Sequence, residues 1–194
     1  MMKKWSMMMQ YGPEGNGGGA AETRGLTKPL FLIGFMGVGK SSVAALLGER
    51  LKVPVHEMDE EIAERVGLSI PEMFRQRGES YFRGVESQMV TRLGGMGPRV
   101  ISCGGGVPMR EENVTNMRSS GWVLLLTARP DTILKRVRHN QNRPLLNGNM
   151  NIDYIAELME QRRERYEAAA DAQVSTDGKT TEEICREIIK LIQK

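Results

Sequence analysis

Between an apolar run, Pro29-Leu30-Phe31-Leu32-Ile33, and an amphipathic one beginning Lys40-Ser41-Ser42-Val43, the chain carries Gly34-Phe35-Met36-Gly37-Val38-Gly39-Lys40-Ser41. This stretch fits G-x-x-x-x-G-K-[ST], a pattern that works only between a strand and a helix, and the flanking runs predict both. Glycines let successive backbone N–H groups turn inward as an anion nest, and the helix start adds partial positive charge. Lys40 then reaches the outer phosphates and Ser41 ligates Mg²⁺. The expected cradle for a nucleoside triphosphate is therefore the backbone of Gly37, Val38 and Gly39 together with Lys40, Ser41 and Ser42. The plainer alternative is a glycine-rich turn that caps a helix with Lys40 merely exposed. The strand and helix on either side speak against it.

The alternation continues along the chain. VPVHE, RVISC, WVLLLT and AQVST read as further short strands, and DEEIAERV, Glu79–Leu93, Glu111–Ser119, Asp131–His139, Ile152–Ala170 and Thr181–Gln193 as helices. Ser69 and Glu72 on either side of Pro71 form the signature of a capping box, opening a short helix that ends near Gly78. The strands are continuously apolar and each is followed by a helix, which indicates an α/β fold whose parallel sheet is covered on both faces. A length of 194 residues suits a single core. Residues 1–27 mix a Met cluster with a Gly-rich run and are expected to form a flexible tail, leaving 28–194 as the domain. His139–Asn151 is polar and Asn-rich and is expected to be a mobile lid.

Composition removes several function classes. The 27 basic and 24 acidic residues give a net charge of +3 and are interspersed, so small anionic ligands fit better than nucleic acid. No apolar window approaches the roughly eighteen residues of a membrane-crossing helix, and the stretch after Lys3 and Lys4 turns polar too soon for a secretion signal. Cys103 and Cys185 have neither metal-ligand spacing nor a disulfide framework and read as core residues. A cytoplasmic monomer is the expectation. A guanine-reading Asn-Lys-x-Asp is absent and the length leaves little room for a motor ATPase, so a kinase of a small molecule or nucleotide remains, with ATP as co-substrate.

On the acceptor side the residues admit two readings each. Glu57 and Asp59 end the second strand, where one carboxylate could hold metal-bound water and the other accept a hydroxyl proton; alternatively Asp59 simply N-caps the helix Glu60–Val66. Arg83 is either a substrate-binding arginine held by Glu86 or half of a surface pair at i, i+3. Gly104-Gly105-Gly106 places three backbone amides just past a strand end, where main chain can approach a ligand closely. Arg143 sits in the polar lid before Pro144, and Arg162 within the basic run EQRRERY.

From Leu30 onward this order and spacing resemble the shikimate kinases, of the nucleoside-monophosphate-kinase-like P-loop fold. The resemblance rests on GFMGVGKSS, the E-M-D at 57–59, SIPEMFRQRGESYFRGVE, the triple glycine in ISCGGGVP, NRPLL and QRRERY. It implies a three-layer α/β/α P-loop kinase fold, its five-stranded parallel sheet in the order 2-3-1-4-5, with substrate-binding helices and a lid. It implies transfer of the γ-phosphoryl of ATP to the 3-hydroxyl of shikimate, on the route to aromatic amino acids. By position, Asp59 would bind shikimate hydroxyls and act as base, Arg83 and Arg162 would grip the carboxylate, and Gly105, between Gly104 and Gly106, would offer its amide. Phe74 and Phe82 would wall the pocket, Arg143 would neutralise the transferring phosphoryl, Arg136 would stack on adenine, and the region of Lys179 would form adenine's other wall. Mg²⁺ would lie at Ser41 and Glu57, the latter standing where the family's pattern has Asp. Two other readings stay open: a kinase of another small hydroxy acid such as gluconate, and a kinase-like module that binds nucleotide without turnover.

Overall fold

The computed structural model of the protein describes residues 25–138 and 151–193. The expected tail up to residue 24, and the expected lid from residue 139 to 150 with Arg143, lie outside the described residues; of the rest, Leu26 is buried in the core instead of lying in a tail, and Asn151 caps the helix that begins at Ile152. Leu30–Ile33 forms β1, every residue of which is buried, as a strand covered on both faces requires. It is joined by β2 (Val55–Glu57), β3 (Val100–Ser102), β4 (Trp122–Thr127) and β5 (Ala172–Ser175). All pair in parallel in one five-stranded sheet of order β2-β3-β1-β4-β5. The order and the α/β/α layering are those the resemblance implies.

The helices are α1 (Lys40–Leu51), α2 (Met58–Val66), α3 (Ile70–Gly94), α4 (Glu111–Ser120), α5 (Pro130–Val137), α6 (Ile152–Ala169) and α7 (Thr181–Ile192). Among the described residues no helix is long and apolar enough to cross a membrane. The two helices expected on either side of Gly78 are both present: the span α3 is broken there, where Gly78 leaves helical geometry at φ 81° and ψ 167°. Its capping box is as expected, Ser69 accepting from the Glu72 amide while Glu72 accepts from the Ser69 amide. The possibility that Asp59 N-caps α2 is not what the chain does. The helix starts at Met58, with Glu57 in the cap position, so Asp59 stands exposed in the first turn. A 3₁₀ turn, Val107–Met109, was not expected from the pattern.

The core that fixes these elements is aliphatic: Leu47, Ile62, Met73, Met117, Ile133 and Ile188 are all fully buried, each contributing about 1.5–3 kcal/mol by removal from water. Because β3 lies between β1 and β2, the connections leaving β1 and β3 run to opposite sides of the sheet. That reversal opens a crevice beyond their carboxyl ends, where open α/β sheets bind ligands. Leu30 is level with Val100 and Leu32 with Ser102, and the Cys103 amide donates to Leu32 at 3.0 Å. The loop after β1 and the glycine triplet after β3 therefore enter the crevice together.

Candidate active site

The loop after β1 is built from backbone. Gly34, Gly37 and Gly39 take φ of 141°, 79° and 99°, a region that side chains disfavour. Gly39 occupies the N-cap of α1 without a capping side chain, so the first amides of the helix are available to an anion. The Lys40 ammonium folds over the loop, Nζ donating to the carbonyls of Gly34 at 2.8 Å and Phe35 at 3.2 Å. From the far side Arg136 donates through Nη1 to the Val38 carbonyl at 3.1 Å. Ser41 and Ser42 are exposed on the first turn of α1.

Ser41 Oγ donates to Glu57 Oε2 at 3.1 Å, which brings a hydroxyl and a carboxylate together at the foot of the loop. Burial pushes the Glu57 carboxyl above its ordinary range, with the Ser102 and Ser41 hydroxyls pulling against it. Among the described residues no group of three or more His, Cys, Asp or Glu side chains could cage a metal. Hard oxygen donors few in number suit Mg²⁺, which keeps its waters and takes phosphate oxygens as further ligands. The residues therefore fit that ion, and Ser41 and Glu57 are the side chains that would hold it.

The acceptor side converges on the glycine triplet. A Cβ on Gly104 would lie 2.6 Å from Asp59 Oδ1 and 3.1 Å from Glu86 Oε1, and one on Gly106 would strike the Arg83 guanidinium. Two helices, α2 and α3, thus pack so closely on Gly104 and Gly106 that a methyl group at either position would force their side chains to move. Arg83 donates to Glu86 at 2.9 Å and to Glu79 at 3.1 and 3.2 Å. Glu86 is 1% exposed, and its burial pushes the carboxyl up to about 7 despite Arg83, the Asp59 carboxylate acting in the same direction as burial. That burial rules out a solvated surface pair: Glu86 holds Arg83 from inside the fold. Phe82 is buried beside Arg83 and its ring centre lies 5.0 Å from that of Phe74, which is exposed. Arg162 comes from α6, its guanidinium 6.0 Å from the Phe35 ring. The triplet also touches the nucleotide side, since the Gly105 Cβ position is 3.8 Å from the Gly34 carbonyl.

Beyond the loop, Arg136 donates to Thr176 Oγ1 at 2.9 Å and to the Thr176 carbonyl at 3.2 Å, joining the end of β5 to the phosphate loop. Asp177 next to it accepts from the Arg129 amide at 3.0 Å and the Thr132 hydroxyl at 2.6 Å, holding the start of α5. Lys179 is paired with Glu187 of α7 at 2.5 Å. Thr176, Asp177 and the partner role of Glu79 escape sequence reading, as nothing in their local pattern distinguishes them from ordinary turn and helix residues. Tyr166 also escapes it, although its place four residues after Arg162 sets both on one helical face. Both cysteines are buried, and burial pushes each thiol up, as core residues require.

Comparison with known proteins follows the same lines. A family model described as shikimate kinase matches residues 36–193. A shikimate kinase of Dehalococcoides mccartyi (strain ATCC BAA-2266 / KCTC 15142 / 195) is 43% identical over 157 residues, 81% of this chain and 89% of the relative. One of Persephonella marina is 40% identical, covering 84% of this chain and 98% of its own length. Among solved structures, shikimate kinase from Acinetobacter baumannii in complex with shikimate superposes with a TM-score of 0.81 at 28% identity, over 86% of this chain and 93% of that one.

Proposed function

Because the chain belongs to the shikimate kinase family, it phosphorylates shikimate with ATP as co-substrate, and we propose that Asp59 is its base, Arg83 and Arg162 its carboxylate grip, and the 3-hydroxyl its target. The observation that carries this reading is the packing of Asp59, Glu86 and Arg83 on the side-chain-free turn Gly104–Gly106, directly beside Gly34 of the phosphate loop. A base, a cationic fork and an open backbone edge then face one small acceptor. Phosphoryl transfer needs positioning and charge neutralisation more than covalent chemistry, and this arrangement supplies both.

In the proposed step Asp59 takes the hydroxyl proton as the freed oxygen forms its bond to the γ-phosphorus. The bond from that phosphorus to the β,γ-bridging oxygen breaks, and ADP leaves with the electron pair. Lys40 exchanges its loop carbonyls for the outer phosphates and neutralises charge there. Ser41 and Glu57 would hold Mg²⁺, and the bound ion would add positive charge on the phosphate side. Gly105 offers its amide to the acceptor, Gly104 and Gly106 leave room for it, and Phe74 with Phe82 walls the pocket. Arg136 and the segment through Lys179 flank adenine. Arg143, assigned to the transferring phosphoryl, lies outside the described residues. Two planar forks match one carboxylate better than they match a neutral polyol.

The test is ADP release from ATP and Mg²⁺ with shikimate, gluconate, AMP or no acceptor. Release stimulated by shikimate alone is the expected result. Stimulation by gluconate instead would reassign the arginines to another hydroxy acid, and ATP binding without turnover on any acceptor would make the protein a nucleotide-dependent module.

A further inference from the structure

The two arginines assigned to the acceptor are held in different ways. Arg83 is clamped by two carboxylates, Glu79 and Glu86. Arg162 forms no ion pair among the described residues; it faces the ring of Phe35 and the phenol of Tyr166. Tyr166 lies one turn further along α6, is 5% exposed, and donates its hydroxyl to the Gly105 carbonyl at 2.7 Å. Its oxygen has acceptor capacity left, and Arg162 is the cation that faces it. The Gly105 Cβ position is 3.6 Å from that same oxygen.

From this geometry we propose that Tyr166 is a positioning residue for the acceptor, joining the Arg162 guanidinium to the Gly105 carbonyl so that fork and backbone edge are set in one register. The proposal rests on the reading that Arg162 grips the carboxylate. A phenol suits the task for two reasons. It is neutral, so it orients Arg162 without cancelling charge that an anionic acceptor uses, which a carboxylate partner would do. It is also bifunctional: accepting from a cation polarises its own O–H and strengthens the bond it donates. A run of three glycines has wide rotational freedom, and pinning one carbonyl fixes the planar peptide that follows it. The hydrogen bond of Tyr166 goes to the glycine turn on the acceptor side, so its influence falls on acceptor binding.

The experiment compares Tyr166→Phe, Arg162→Ala and the double variant in full-length protein, measuring kcat, KM for shikimate and ATP, and the thermal midpoint without ligand. Tyr166→Phe should raise the shikimate KM about tenfold, the scale of one hydrogen bond to a charged group, with kcat and the ATP KM within about twofold. In the Arg162→Ala background it should add less than about twofold, because the two residues act as one unit. A lowered midpoint with an unchanged shikimate KM would make Tyr166 structural only and overturn the proposal. So would full additivity in the double variant, or losses shared with the ATP KM. If Tyr166→Phe is silent while Arg162→Ala weakens shikimate, the proposal fails and the carboxylate grip stands. If Arg162→Ala leaves the shikimate KM unchanged, the grip reading fails and takes the proposal with it.

Discussion

The phosphate loop and the acceptor pocket sit side by side at the mouth of one crevice, yet they are made from different materials. The loop is a contiguous stretch after β1 whose ligands are backbone amides, aided by glycines at φ values that side chains disfavour. The proposed pocket draws Asp59 from α2, Arg83 and Glu86 from α3, Arg162 and Tyr166 from α6 and a glycine turn after β3, and what it would offer an acceptor is mainly side chains. A backbone site is set by local conformation and tolerates many side chains at its variable positions. A side-chain site exists only when distant segments pack correctly, so single substitutions there should be felt one function at a time.

The sharpest break between the regions is chemical. Asp59→Asn keeps the shape beside Gly104 but removes the proposed base. It should lower kcat by about 10²–10⁴-fold while calorimetric ATP affinity stays within about twofold. A loss in ATP affinity as large as that in kcat would erase the distinction between the two regions.

That contrast also explains what the sequence revealed. The octapeptide, the strand and helix around it, and the capping box at Ser69 are written in neighbouring residues, and the structure has each where the pattern puts it. Sheet order is not local, and it came from resemblance rather than from periodicity. At the acceptor side the spacing of Arg83 and Glu86 could not separate a solvated pair from a buried one, because exposure is decided by what α3 packs against. Glu86 at 1% exposure is a tertiary fact. Thr176 and Tyr166 make their decisive contacts with Arg136, 40 residues away, and with Gly105, 61 residues away. No window of sequence contains such a pair.

A matched pair of variants sharpens the division at smaller effect. Gly106→Ala drives a methyl into the Arg83 guanidinium and displaces it from Glu86. The shikimate KM should rise about ten- to a hundredfold, since a charge-assisted pairing geometry is lost, with the ATP KM unchanged. Arg136→Ala releases the bonds to Val38 and Thr176. It should raise the ATP KM about tenfold and leave shikimate alone. Steady-state kinetics with each substrate varied in turn decides the matter. Two variants that each moved both KM values would show one coupled site instead of two adjoining ones.

The smallest expected effect turns on Glu86 and gives function and stability opposite signs. Burial first, and then Asp59, push its carboxyl from the ordinary 4.5 up to about 7, while Arg83 and Arg110 oppose them. The ionised form holds Arg83, so kcat/KM for shikimate should rise a few-fold from about pH 6 to about pH 8. The folded state binds this proton more tightly than the unfolded chain. Its contribution to stability is therefore fully present below about 4.5 and lost as pH rises through about 7. Glu86→Gln is neutral throughout and should flatten both curves, with the lower activity at every pH and the unfolding midpoint no longer falling across this interval. If the parent enzyme instead shows a midpoint independent of pH there, Arg83 keeps Glu86 ionised in the fold, and the pair acts as a fixed clamp on the acceptor side rather than one that loosens with acid.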